Sequence, residues 1–152
     1  FPAEHKQFLI KAGLPEEAAP FLAFGVVKKA FLLSVTEIWQ LPVHVFGGYR
    51  AIGATGGGDT ICIIEGTEGR VVVLDHDAKF REIFVNSSVM HLAESLLVFR
   101  AFVKQARQSF GNEAFLQDHI PLALRQETYK RMLLVDERID DKPSFWQCHL
   151  MV

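Results

Sequence analysis

Cysteine is scarce: Cys62 and Cys148 are the two among 152 residues, too few for the disulfide framework of a small secreted domain. Cys62 stands inside an apolar strand run and is expected to be a buried free thiol in a reducing cytosol. No apolar run approaches the ~20 residues that span a bilayer, and no secretory leader is expected. The reading is therefore a cytoplasmic protein with no membrane partner. Charge of one sign is also lacking. A formal net charge of -2 excludes the strongly basic surface that would point to direct nucleic-acid binding. Internal repeats and low-complexity tracts are missing, which argues against a repeat architecture. Among catalytic signatures, His-Glu-x-x-His, Cys-x-x-Cys, Gly-x-Ser-x-Gly and the zinc-deaminase pattern are all absent. The histidines at positions 5, 44, 76, 91, 119 and 149 show no ligand spacing.

What is present is enough for a core. At 49% hydrophobic and 22% charged, the chain reads as one globular domain over residues 1–152. Its thirteen phenylalanines predict an aromatic-rich interior. Residues 2–12 predict a helix, with His5, Phe8, Leu9 and Ala12 on one face and Gly13 then Pro15 as the stop. Pro15-Glu16-Glu17 predicts a further helical turn ended by Pro20. Residues 21–41 are apolar without a clean period. Within them residues 30–35 suit a strand, and residues 36–41 a turn or short helix carrying Trp39. Val43 to Phe46 suits a brief strand after Pro42.

The organising unit is a strand meander at residues 49–85. Residues 49–54 predict a strand, and Gly56-Gly57-Gly58-Asp59 a turn. Thr60 to Ile64 is a continuous β-branched run, as in a strand covered on both faces. Residues 65–69 form a second turn and residues 70–74 another strand. Asp75-His76-Asp77 opens a polar loop, and residues 82–85 make a short final strand that suits a sheet edge; the chain is expected to be a monomer, or a weak homodimer paired through that edge. Short connections imply antiparallel pairing. Asn86, Ser87 or Ser88 is expected to cap a long helix over about residues 87–109. Its stripe is Val89, Leu92, Ala93, Leu96, Phe99, Val103 and Ala106, and it ends at Gly111-Asn112. One or two helices around Pro121, a charged loop at residues 136–143 and a terminal helix from Ser144 complete the chain. Strands cluster rather than alternate with helices, so the fold class is α+β, a mainly antiparallel sheet covered by helices.

Three constellations bear on chemistry. The Gly56-Gly57-Gly58 loop precedes a strand and lacks a Lys, so it reads as a hairpin turn rather than a phosphate cradle. Asp75-His76-Asp77 offers carboxylates and an imidazole, but consecutive side chains on extended backbone point to opposite faces. Six acids occupy residues 59–86: Asp59, Glu65, Glu68, Asp75, Asp77 and Glu82. Most fall on turns, and on one rim they would form an acidic surface that steers a cationic partner. Asp59, Glu65, Glu68, Asp75 and Asp77 are the candidate partner-binding residues.

These residues carry a resemblance. Gly57-Gly58-Asp59, Ile61 to Ile64, Gly69-Arg70-Val71 and Phe84-Val85-Asn86-Ser87-Ser88 before an apolar helix resemble the SUKH superfamily of bacterial immunity proteins. Gly13-Leu14-Pro15, the Asn-Ser-Ser junction, and Ile139-Asp140 with Ser144-Phe145-Trp146 are most similar to its fourth group. Residues 21–42 depart from that pattern. The resemblance implies a cytosolic, stoichiometric inhibitor of a toxin deployed between bacteria, often a nuclease or deaminase. It implies no enzyme activity, no cofactor and no metal. Within it, Gly57, Gly58 and Gly69 match as turn formers, Asn86, Ser87 and Ser88 as the helix junction, and Trp146 as a packing residue. Two other readings stand beside it. One is a cytosolic scaffold or regulatory module of the same fold. The other is a small metal-dependent hydrolase using Asp75, His76 or Asp77.

Overall fold

The computed structural model describes residues 2–24, 32–141 and 143–151. Helix α1 (Ala3–Lys11) starts behind Pro2, and buries His5 and Leu9. Pro suits this site because a helix leaves its first N–H groups unbonded in any case. Gly13, at φ 70, follows its end. The expected second helical turn is instead a two-residue strand, β1 (Glu17–Ala18), paired with β2 (Leu22–Ala23) across Ala19-Pro20. The reason lies in tertiary pairing. β2 satisfies the open edge of the next strand, and Leu22 and Phe24 enter the core beside it.

Of the strand expected at residues 30–35, positions 30 and 31 lie outside the described residues. Ser34 makes a single antiparallel bridge to Arg50. It then opens α2 (Val35–Trp39) with a capping box, in which Ser34 N donates to Glu37 Oε2 at 2.9 Å and Ser34 Oγ accepts from Thr36 N at 3.3 Å. The brief strand expected after Pro42 is a helical turn, α3 (Val43–Phe46), closed by Gly47 N donating to Val43 O at 2.8 Å. Pro42 presets φ for a turn start, and β2 and Ser34 already occupy the edge where a new strand would pair.

The meander follows the sequence closely: β3 (Tyr49–Thr55), β4 (Thr60–Ile64), β5 (Val71–Asp75) and β6 (Arg81–Asn86). The sheet order is β1-β2-β3-β4-β5-β6, antiparallel throughout. Every residue of β4 is buried, as its unbroken apolar run predicts. Side chains alternate between faces, so Ile61, Ile63, Val71 and Val73 join one cluster while Cys62, Ile64, Val72 and Leu74 join another. β6 is an edge strand, but its edge is not bare. Phe84 N donates to Pro143 O at 3.0 Å, and Phe84 bridges Ser144.

The first face carries the larger core. Helix α4 (Val89–Leu116) lies over it, buries Val89, Leu92, Leu96, Phe99, Phe102 and Ala106, and turns sharply at Gly111, whose φ of 84 and ψ of 163 leave the helical region. The helix thus breaks where the Gly-Asn pair predicts, then resumes for one more turn. Helix α5 (Leu122–Val135), a short 3-10 turn (Glu137–Asp140) and α6 (Phe145–Leu150) close this side. Trp146 is fully buried, with ring centroids 5.6 Å from Phe99 and 5.1 Å from Phe145. Phe24, Phe84, Phe99, Phe102 and Phe145 are buried, whereas Phe21 and Phe110 stand exposed. The second face holds a smaller cluster around Val35, Ala51, Cys62 and Leu74, covered by α2 and α3.

Candidate partner-binding surface

An up-and-down meander places alternate turns at opposite ends of its sheet. The β3–β4 turn and the β5–β6 turn share one end, and the β4–β5 turn lies at the other. Asp59, Asp75 and Asp77 therefore gather at one end. Glu65 and Glu68 sit at the other, about 16 Å away along five residues of β4. The single acidic rim expected from sequence is divided in two.

The acids also differ in what they do. Asp59 Oδ1 accepts from His76 N at 3.0 Å and lies 2.6 Å from His76 Nδ1, tying the two turns together. This carboxylate holds the His76 imidazolium above its usual value of 6.5. Asp75 accepts from Ala78 N at 3.1 Å and pairs with Arg81 at 3.3 Å. Glu65 makes a two-point contact with Arg50, at 3.0 and 3.2 Å. Asp77, with 90% of its side chain exposed, reaches His76 Nε2 at 3.4 Å, and Glu68 is exposed.

Between these two ends lies an aromatic and aliphatic patch. Trp39 stacks on His76 at 5.7 Å and meets the edge of Phe80 at 5.5 Å. Its indole N–H donates to Thr60 Oγ1 at 2.7 Å, which fixes the ring. Phe46 joins Phe80 to Tyr49. The Tyr49 hydroxyl donates to Glu82, which also accepts from Arg70 at 2.9 Å. Burial and that carboxylate push the phenol up to about 12. Above this floor Ile38, Trp39, Val43 and Val45 remain exposed, Val43 by 72%. They fall within residues 38–45, so the two short helices cover the sheet yet present their own apolar side chains outward.

The Asn-Ser-Ser junction serves a different purpose. Ser88 caps α4, accepting from His91 N at 3.2 Å. Asn86, another of the three cap candidates, is fully buried. Its Nδ2 donates to Ser95 Oγ and to Asp136 Oδ2, both at 3.1 Å, and its Oδ1 accepts from Trp146 Nε1 at 3.1 Å. Ser87 donates to Asp136 twice, from N at 2.6 Å and from Oγ at 2.8 Å. Burial works to raise the Asp136 carboxyl, but the donors from Ser87 and Asn86 outweigh it and hold it below its usual 3.8. Asp136, at the end of α5, holds Asn86 and Ser87, and Asn86 carries the network on to Ser95 of α4 and Trp146 of α6.

A family model described as SUKH-4 immunity protein matches residues 1–150. The chain belongs to the SUKH-4 immunity protein family. Comparison with curated proteins and with solved structures gave no match. Membership accounts for the loose resemblance of the glycine turns and of the Asn86-Ser87-Ser88 junction. In this SUKH-4 member those residues build the scaffold. Gly57 and Gly58 form the β3–β4 turn, and Gly69 lies so close to His5 that a Cβ there would come within 2.3 Å of Nδ1.

Among the described residues, no group of three His, Cys, Asp or Glu side chains is placed to hold a metal ion. Asp75, His76 and Asp77 do not gather around one point: His76 lies between Asp59 at Nδ1 and Asp77 at Nε2, 2.6 and 3.4 Å away, while Asp75 faces Ala78 and Arg81. Cys62 is sealed in the sheet, and burial pushes its thiol up to about 12, far from a reactive thiolate. Among the described residues no helix is long and apolar enough to cross a membrane. The α2–α3 patch had only a faint sequence signal, since an apolar stretch without period fits core as readily as surface.

Proposed function

We propose that this immunity protein binds and neutralises a cognate toxin that acts on nucleic acid, a nuclease or deaminase, in the cytoplasm, and that the α2–α3 face is where it binds. The observation that carries the reading is the exposed run of Ile38, Trp39, Val43 and Val45 on two short helices. Interfaces have an apolar centre with aromatic anchors and a polar rim. Here Trp39 is a prefixed anchor, and acids stand at both ends: Asp59, Asp75 and Asp77 at one, Glu65 and Glu68 at the other. An enzyme that grips phosphates presents Lys and Arg, and an acidic rim meets that surface by charge complementarity. The protein then acts by occupancy, one inhibitor to one toxin, as a monomer or weak homodimer and without chemistry of its own.

The test is co-expression with the product of the adjacent gene. Alone, that product is expected to arrest growth; with this chain, growth returns and the two co-purify. Val43→Asp with Val45→Asp, both outside the core, is expected to weaken binding by about 30-fold or more and to abolish rescue while the melting curve stays unchanged. Full rescue by a folded double variant would remove this face from the account. A harmless neighbour that fails to bind would favour a scaffold role instead.

A further inference from the structure

We infer that a second surface, the groove between α1–β1 and α4, receives an acidic amphipathic peptide segment. The groove has a volume of about 810 Å³. Phe8, Leu96 and Val103, all buried or half-buried, lie along it. Leu97, 63% exposed, projects from its α4 wall. The same wall carries Arg100, Lys104 and Arg107. Arg107 lies 5.0 Å from the Phe115 ring, whereas Arg100 and Lys104 have no ion-pair partner among the described residues. No acid occurs on α4 between Glu94 and Glu113, and Glu17 is the one acid among the described residues lining the groove.

This arrangement departs from the rest of the molecule. The chain is mildly acidic, and the meander arginines Arg50, Arg70 and Arg81 are paired with carboxylates. Arg100 and Lys104 stand four apart and Lys104 and Arg107 three apart, spacings at which like charges on a helix repel one another. Carboxylates on a partner relieve that repulsion. The apolar floor selects against nucleic acid, which offers phosphates and needs stacking rings. From Ala93 to Gln108 the α4 wall runs roughly 22 Å, the length of a helix of about fifteen residues. An apolar stripe flanked by Glu or Asp complements floor and rim together. This surface is separate from the α2–α3 face and does not depend on it.

The probe is a fluorescein-labelled eighteen-residue amphipathic peptide with Leu on one face and Glu beside it. It is compared by anisotropy with a twin bearing Lys at the Glu positions. The Glu peptide is expected to bind at least tenfold tighter, to weaken with salt, and to perturb amide resonances of residues along α1 and α4. Arg100→Glu with Lys104→Glu is expected to reverse the preference, and Leu97→Glu to weaken the Glu peptide without touching either cation. Equal binding of the two peptides overturns the inference, as does a preference that survives the double reversal in a folded variant. Binding to phosphatidylglycerol vesicles without binding to the Glu peptide also overturns it.

Discussion

Asp136 shows how much of the structure rests on one side chain. Four donors converge on its carboxylate, from Ser87 N, Ser87 Oγ, Asn86 Nδ2 and Arg138 N. Asp136→Asn keeps the shape but turns an NH2 group toward donors, and is expected to cost about 2–3 kcal/mol in urea unfolding at neutral pH. The carboxyl is held below 3.8 in the folded state. Its contribution is therefore complete above that value and is lost as pH falls through the lower folded pKa. The stability gap between wild type and Asp136→Asn should narrow in acid; a gap independent of pH would refute the assignment. His76 has the opposite sign. Its folded pKa lies above 6.5, so the His76–Asp59 pair contributes fully below that value and fades as pH rises through the folded pKa. Between about pH 5 and about pH 8, an NMR titration of His76 should show a midpoint above 6.5 that drops in Asp59→Asn. At this scale the sequence was a poor guide. Ser88 was legible as a cap because its partner is three residues away. Asn86 and Ser87 were not, because Asp136 lies about fifty positions downstream and no local pattern marks a long-range hydrogen bond.

The elements divide according to how local their causes are. β4, β5 and α4 were legible because burial on both faces or on one helical stripe leaves a periodic trace. β1 and α3 were not. A two-residue strand is decided by the free edge of β3, and Val43 to Phe46 became a helical turn against its β-branched composition because the edge was already paired. Glycines mark two joints. Gly69 sits at φ 85 against His5, and Gly69→Ala is expected to cost about 1–3 kcal/mol through positive φ and overlap. His5→Ala in the same chain should recover the part due to overlap, read from a double-mutant cycle. Gly111 sits at φ 84 with open space around it. Gly111→Ala should therefore cost about 1–3 kcal/mol from backbone strain alone and show no coupling to its neighbours.

For the molecule as a whole, the two faces of the sheet are closed differently. The α4 face is closed by four helices and the buried Trp146. The opposite face is closed by two short helices that leave aliphatic and aromatic side chains in water. The α+β architecture and the family were legible from residue patterning, but the proposed binding face was not, since the acids looked contiguous along the chain and the fold sends them to opposite ends. The central claim is that the α2–α3 face receives the toxin, and hydrogen exchange on the complex tests it most directly. The account predicts slowed exchange at residues 35–46 and at the β3–β4 and β5–β6 turns on adding the toxin, with residues 89–110 unchanged. Protection confined to the α4 side, with residues 35–46 exchanging as in the free protein, would contradict it.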